Sequence, residues 1–322
     1  MTYVLIIVGF VLLTVCADTL VNGASALAKR FNVSETIIGL TIVAFGTSMP
    51  ELVVNIFASA EGSNEIAMTN ILGSNTLNTL LILGVTAVIC PIRSNPRTLH
   101  HEVPLSIIAG FAVMLLASNF FGRFNTSRDI GLARWDGLIL LVGFGYFIYY
   151  TIKCIKVDKQ SGTTPIQTEE VKSMPLWKSV IFILIGLAGL TIGGKLIVEN
   201  AVIIARNWGI SEAVIGVTVV AVGTSLPELA TSVVAACHKN VELAVGNVIG
   251  SNIFNIFFIL GLSSLIKPIA NYQNLMIDAA LATGSSILLL FFLMNDRDRE
   301  LSRLEGAALI LVYAVYIYLV VK

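Results

Sequence analysis

The chain contains an internal duplication that covers most of its two halves. When the sequence is shifted by 177 residues, SETIIGLTIVAFGTSMPEL at 34–52 aligns with SEAVIGVTVVAVGTSLPEL at 211–229. With the same shift, NILGSNTLN at 70–78 aligns with NVIGSNIFN at 247–255. More than two residues in five are identical over 33–92, which shared hydrophobicity alone does not produce. The two halves are therefore expected to fold as copies of one unit.

Each copy consists mainly of apolar stretches long enough to cross a bilayer as helices. Only 12% of the 322 residues are charged, the mean hydropathy is +0.87 and the net charge is zero, so a soluble domain and a nucleic-acid partner are both excluded. The sequence predicts an all-α polytopic membrane protein in which ten transmembrane helices lie near 3–28, 34–59, 66–89, 102–120, 134–153, 176–205, 211–236, 242–266, 274–294 and 303–321.

Five spans per half determine the relative orientation of the copies. Because five is odd, the second copy enters the membrane upside down, which gives two inverted-topology five-helix repeats, an architecture of secondary transporters. The predicted domains are a first repeat at 1–153, a cytoplasmic linker loop at 154–175 and a second repeat at 176–322. Odd-numbered connections carry thirteen Lys and Arg residues against six in the even-numbered ones and the tail. The positive-inside rule then places both termini outside, in an inner (plasma) membrane.

The motif GTSMPE at 46–51 places a carboxylate in the middle of the second span, where a charge is costly and usually functional. Pro50 lacks an N–H group and should kink the helix, exposing carbonyl groups around Ala44. Thr47 and Ser48 lie four and three residues before Glu51, so both hydroxyls are predicted on its helix face. Carboxylate, hydroxyl and carbonyl oxygens together suit alkali or alkaline-earth cations.

The duplication supplies this set of oxygen donors twice. A lone proline in a membrane helix is more often a packing kink, and a hydroxyl usually bonds to its own helix, but two copies at equal spacing favour a binding site. The second copy has Thr224, Ser225 and Glu228, and the GSNxxN motifs add hydroxyl and amide pairs four residues apart. These pairs are Ser74 with Asn78 and Ser251 with Asn255.

Other polar residues have more ordinary explanations. Asp18 in the first span could line an ion path, lie at the interface or pair with Lys195. Asp136 and Glu305 near the beginnings of spans suit helix N-termini. His100 and His101 are assigned no role, and the four scattered cysteines have no metal-ligand spacing.

The paired GTSxPE and GSNxxN motifs resemble those of the cation/calcium exchanger superfamily, most closely its prokaryotic sodium/calcium exchanger branch. The resemblance implies four central ion sites between spans two, three, seven and eight. It implies as ligands the carbonyls of Ala44 and Ala221 and the side chains of Thr47, Ser48, Glu51, Ser74, Asn78, Thr224, Ser225, Glu228 and Ser251. Asn255 departs from members that carry Asp at this position, which disfavours potassium coupling.

The sequence therefore predicts an antiporter that exchanges sodium for calcium by alternating access, with Glu51 and Glu228 at the midplane. The resemblance implies three sodium ions per calcium. A proton- or other-cation-coupled antiporter remains an alternative, and a passive channel is a weaker one. No enzyme motif such as HExxH is present, and we expect no cofactor. The expected partners are small inorganic cations and the lipid bilayer, with a monomer as the transport unit.

Overall fold

The computed structural model of the chain describes residues 1–93, 95–118, 131–161, 174–209, 221–270, 274–295 and 300–321. Helices account for nearly all of these residues. They are α1 (Thr2–Phe31), α2 (Glu35–Thr47), α3 (Met49–Glu61), α4 (Asn64–Leu77, continued through Asn78–Ile82 to Leu83–Ile89), α5 (Thr98–Ala117), α6 (Arg134–Ser161), α7 (Leu176–Asn207), α8 (Ala221–Thr224), α9 (Leu226–Cys237), α10 (Val241–Ile266), α11 (Leu275–Asn295) and α12 (Arg303–Val321).

Seven of the described helices are long and apolar enough to cross a membrane, namely α1, α4, α5, α6, α7, α10 and α11. The bent pair α2–α3 makes an eighth span if its two parts are counted together. The ten predicted spans are thus matched in part. Residues 210–220 of the predicted seventh span lie outside the described part of the chain, and the tenth corresponds to the 19-residue helix α12. The predicted fifth span continues as a helix to Ser161, into the predicted linker.

Two helices form the centre of the molecule. In α10, 94% of the membrane-spanning segment is buried within the protein, and in α4 the value is 78%. For α1, α6 and α7 it lies between 17% and 33%, and these helices present apolar side chains outward, as lipid contact requires. Consequently α4 and α10, which carry the GSNxxN motifs, hold polar side chains away from lipid.

The two longest helices, α1 and α7, pack against each other in an antiparallel direction through small residues. A Cβ atom added to Gly9 would lie 3.0 Å from the Gly193 carbonyl oxygen, and one added to Gly186 would lie 2.9 Å from the Cys16 carbonyl oxygen. Glycine at these positions lets the helix backbones approach closely, as in other membrane helix pairs. The two helices are therefore in close contact along most of their length.

Two short antiparallel strand pairs join loops of the two halves. β1 (Ile92–Arg93) pairs with β4 (Glu300–Leu301), and β2 (Gly131–Leu132) pairs with β3 (Ile269–Ala270). In the duplication β1 corresponds to β3, because Ile92 aligns with Ile269. Each pair therefore contains one strand from the first half and one from the second. These pairs fix the end of α4 to the beginning of α12 and the end of α10 to the beginning of α6.

Candidate cation site

Both GTSxPE motifs interrupt a helix at the same position. Ser48 separates α2 from α3, with φ −82° and ψ 8°, and Ser225 separates α8 from α9, with φ −90° and ψ 7°. The proline follows two residues later, in the first turn of the new helix, where its missing N–H costs no helical bond. α2 and α3 meet at 46°, so the predicted kink is confirmed. Each break places a buried serine hydroxyl beside the glutamates of the two motifs. We call Glu51, Glu228 and the polar side chains of the two motif pairs around them the cation layer.

The serine at each break contacts the carboxylate of the other half. Ser48 Oγ lies 2.8 Å from Glu228 Oε1, and Ser225 Oγ lies 3.0 Å from Glu51 Oε1. The same two hydroxyls reach the serines of the GSNxxN motifs, at 2.9 Å for Ser251 and 3.1 Å for Ser74. All these residues are at most 1% exposed. The two copies therefore form one joint site and do not form two separate ones.

The threonines of the motifs also form hydrogen bonds between the two halves. Thr47 Oγ1 lies 3.1 Å from Asn247 Oδ1, and Thr224 Oγ1 lies 3.2 Å from Asn70 Oδ1. These bonds fix α2 against α10 and α8 against α4. The hydroxyl groups are thereby held at the level of the carboxylates.

The asparagines of the GSNxxN motifs also bond across the halves. Asn78 Nδ2 donates to Asn252 Oδ1 over 3.1 Å, and Asn255 Nδ2 donates to Asn75 Oδ1 over 3.0 Å. Asn78 and Asn255 each begin a π-helical stretch, at Asn78–Ile82 and Asn255–Leu260, a feature frequent at functional sites. Since both amide N–H donors face the other half, the amide oxygens point elsewhere.

Four oxygens of this layer are left without a hydrogen bond. Within the described ranges, Glu51 Oε2, Glu228 Oε2, Asn78 Oδ1 and Asn255 Oδ1 are buried and have no hydrogen-bond partner. A buried carboxylate or amide oxygen without a partner is destabilising unless something else satisfies it. The four atoms form two pairs of repeat mates, so their arrangement follows from the duplication.

The charge of the layer is equally uncompensated by protein. The two glutamates lie close enough for their charges to interact, and no described Lys, Arg or His forms an ion pair with either. Among the described residues no group of three or more His, Cys, Asp or Glu could hold a metal ion. The donors around Glu51 and Glu228 are carboxylate, hydroxyl and amide oxygens, which suits sodium or calcium ions as transported substrates.

The structure brings together the side chains of ten of the twelve predicted site residues. Ala44 is also in contact, since its carbonyl oxygen lies 3.5 Å from Ser251 Oγ and 3.3 Å from Thr47 Oγ1. Ala221 is the first residue of α8. The ten buried side chains are those of Thr47, Ser48, Glu51, Ser74, Asn78, Thr224, Ser225, Glu228, Ser251 and Asn255.

Some polar partners were missed and one pairing was wrong. Asn70, Asn75, Asn247 and Asn252 hold the site together but were not predicted, although each is identical to its repeat mate, and that identity was an available signal. Asp18 does not pair with Lys195. Its carboxylate contacts His238 Nε2, at the end of α9, over 3.1 Å. Lys195 lies elsewhere, because the antiparallel packing of α1 and α7 places Gly193 opposite Gly9.

Asp136 and Glu305 have the structural role that was predicted for them. Asp136 Oδ2 accepts from the Ala133 N–H over 2.8 Å, and Glu305 Oε2 accepts from the Ser302 N–H over 2.8 Å. Each carboxylate thus satisfies a backbone donor at the beginning of a helix. Neither belongs to the cation layer.

Comparison with known proteins places this geometry in context. Residues 1–153 and 178–322 match the sodium/calcium exchanger protein family. A solved structure of the sodium–calcium exchanger NCX_Mj soaked with Na⁺ and Sr²⁺ superimposes with a TM-score of 0.81 at 31% identity, covering 98% of this chain and 97% of that one.

Two curated relatives differ in the ion named for coupling. The sodium/calcium exchanger MaX1 of Methanosarcina acetivorans is 32% identical over 98% of this chain and 97% of its own length. The Ca²⁺/H⁺ antiporter ChaA of Bacillus subtilis is 25% identical over 86% of this chain and 81% of its own length. Both names describe cation exchange across a membrane.

Proposed function

This chain belongs to the sodium/calcium exchanger protein family, and from that premise we propose that it exchanges sodium for calcium by alternating access at the layer around Glu51 and Glu228. It is a multi-pass membrane transporter and not an enzyme. The observation that carries the proposal is the set of four buried oxygens without hydrogen bonds, on Glu51, Glu228, Asn78 and Asn255. Two ionised glutamates balance one calcium ion, while three sodium ions would leave one net positive charge.

We further propose the complete ten-helix architecture, with inverted repeats at 1–153 and 176–322 joined by a cytoplasmic linker at 154–175 and both termini outside. The reciprocal hydrogen bonds of the two GTSxPE motifs support this symmetry, as do the strand pairs β1–β4 and β2–β3. A two-fold axis that exchanges the halves converts each of these contacts into the other. The transport unit is proposed to be a monomer, because both glutamates come from one chain.

Alternating access requires that part of the molecule move past the site. We propose that α1 and α7 slide together across the central helices. Their antiparallel contact through Gly9, Gly186 and Gly193 supports movement as one unit, because the close backbone contact joins them to each other along most of their length. In each of its two positions the α1–α7 pair covers the cation layer from one side of the membrane and leaves it open to the other.

Sodium-loaded proteoliposomes test the proposal directly. Calcium-45 uptake should require the outward sodium gradient and should fall steeply as external sodium is raised to the internal concentration. Uptake that follows an imposed proton gradient without sodium would instead identify the proton-coupled alternative, which the similarity to ChaA favours. Uptake without any counterflowing ion would identify a passive channel.

Potassium is predicted not to be a coupled ion, since Asn78 and Asn255 are both neutral and, among the described residues, Glu51 and Glu228 are the only carboxylates of the layer. Sodium-driven calcium flux should therefore be unchanged when potassium is replaced by choline. The informative variant is Asn255→Asp, which adds a third carboxylate and should make the flux sensitive to potassium. A strict potassium requirement in the unmodified protein would contradict the prediction.

Exchange is also predicted to weaken as pH falls and to respond to membrane potential. Protons and calcium compete for the same two carboxylates, so acidification should raise the calcium concentration needed for half-maximal flux, and more calcium should restore the rate. If three sodium ions move per calcium, an inside-positive potential set with valinomycin should speed sodium exit coupled to calcium uptake. Flux indifferent to both pH and potential would exclude this charge balance.

A further inference from the structure

A cavity of about 280 Å³ opens between α5 and α6, outside the cation layer. Arg97, directly before α5, and His101 in its first turn form one side of it. The last turns of α6 contribute residues spaced three or four apart, so that one face of that helix forms most of the wall. The lining of α6 includes Tyr146, Tyr149, Tyr150 and Lys153. None of these residues takes part in the proposed exchange.

Two basic side chains line the cavity. They belong to Arg97 and Lys153, and among the residues that the structure describes no carboxylate lines it, although Asp158 and the buried Glu102 lie close enough to interact with the Arg97 charge. Arg97 forms an ion pair with Asp158 through Nη1, yet a third of its side chain remains exposed. Lys153 is exposed and makes no ion pair with any residue in the described ranges. The cavity thus offers an ammonium group and part of a guanidinium group to an anion.

The same cavity faces the lipid. Tyr146 is 57% exposed and Tyr149 is 63% exposed, and only 17% of the membrane-spanning part of α6 is buried in the protein. Tyrosine and lysine near the end of a membrane helix are typical of the interface, where rings contact acyl chains and charges reach the headgroups. An occupant must therefore suit both an apolar and a cationic surface.

We propose that this cavity binds the headgroup phosphate of an anionic phospholipid, with Lys153 and the exposed part of Arg97 on the phosphate and an acyl chain along Tyr146 and Tyr149. Basic cavities between membrane helices are suited to anionic headgroups. Free inorganic phosphate shares the charge but has no apolar part to place on the tyrosines, so the lipid-facing wall favours the phospholipid. The lipid lies close to α2, because Asp158 Oδ2 also accepts from the Ser34 N–H over 3.2 Å.

Native mass spectrometry of the purified full chain, titrated with phosphatidylglycerol, tests this proposal. Lys153→Gln should weaken binding of the first phosphatidylglycerol about fivefold, the effect of one basic residue at an anionic headgroup. Lys156→Gln is the matched control, since Lys156 is exposed on the same helix but does not line the cavity. It should bind as the unmodified protein does. Lys153→Arg, which keeps the charge, should also retain binding.

Four outcomes would overturn the proposal. An equal loss of phosphatidylglycerol affinity in Lys153→Gln and Lys156→Gln would mean that the lipid is attracted to the basic surface in general. A loss of affinity in Lys153→Arg as large as in Lys153→Gln would mean that the charge of Lys153 does not bind the lipid. Equal binding of phosphatidylcholine would exclude recognition of an anionic lipid. Displacement of phosphatidylglycerol by inorganic phosphate at similar concentration would identify a small-anion site. Calcium exchange measured on each variant verifies that the protein is folded.

Discussion

Calcium exchange should fall to background in Glu51→Gln and in Glu228→Gln, while both variants remain folded. Glutamine keeps the shape of glutamate and its Oε1 can still accept from Ser225 or Ser48, so the hydrogen bonds of the layer survive. The substitution removes one of the two negative charges that balance a divalent cation. Neutralising a buried charged ligand costs about 3 kcal/mol, which corresponds to about a hundredfold in affinity.

The measurement is calcium-45 uptake into sodium-loaded proteoliposomes at matched protein content, with the elution profile as a check on folding. Glu61→Gln is the matched control, because Glu61 belongs to the same helix as Glu51 but is exposed at its end. It should transport at the normal rate. Normal rates in either Glu51→Gln or Glu228→Gln would remove these residues from the proposed site.

The second large effect is expected from adding a single methyl group where α2 crosses α10. A Cβ atom on Gly246 would overlap the Thr36 carbonyl oxygen, and one on Gly39 would lie 2.6 Å from the Leu243 carbonyl oxygen. Both neighbours are backbone atoms, which cannot rotate away. Gly246→Ala should therefore lower the free energy of unfolding by about 1–3 kcal/mol, the usual cost of overpacking.

Transport should fall with stability in this variant. The added methyl group moves α2 away from α10. This lengthens the contacts of Thr47 with Asn247 and of Ser48 with Ser251, which keep the side chains of the cation layer in place. Thermal unfolding followed by tryptophan fluorescence reports the first effect and calcium uptake the second. Gly145→Ala is the control, because Gly145 is exposed and no described atom lies within 4 Å of its added Cβ. Equal free energies of unfolding for Gly246→Ala and Gly145→Ala would contradict the prediction, because they would show that α2 and α10 can accommodate a methyl group where they cross.

The duplication made most of the site predictable from the sequence, because paired motifs at equal spacing identify residues that chance does not repeat. Their partners were less predictable. Helical spacing placed Ser48 on the same face as Glu51, but Ser48 lies at the break between α2 and α3, where that spacing no longer applies. Its hydroxyl instead meets Glu228 of the other half. Periodicity describes one helix and gives no information on which helices face each other.

The supporting asparagines show the same limit. Asn75 and Asn252 lie inside the duplicated motifs, yet their role depends on contacts with residues 180 and 174 positions away. The pairing of Asp18 with His238 likewise depends on the packing of α1 against α9, since His238 directly follows α9. Span number was also harder to derive than span position, since breaks such as the one at Ser48 divide one apolar stretch into two helices.

The crossed bonding of the two motifs has a consequence for biosynthesis. Ser48 meets a carboxylate 180 positions later, and Glu51 meets a hydroxyl 174 positions later, so the first half enters the bilayer before the hydroxyl that bonds to the acid Glu51 has been synthesised. That bond forms only after the ribosome has synthesised the second half. The central layer is consequently among the last parts of the molecule to form. If sodium or calcium binds only the completed layer, as proposed, the ion also stabilises the newly made protein by mass action and acts as a folding ligand as well as a transported substrate.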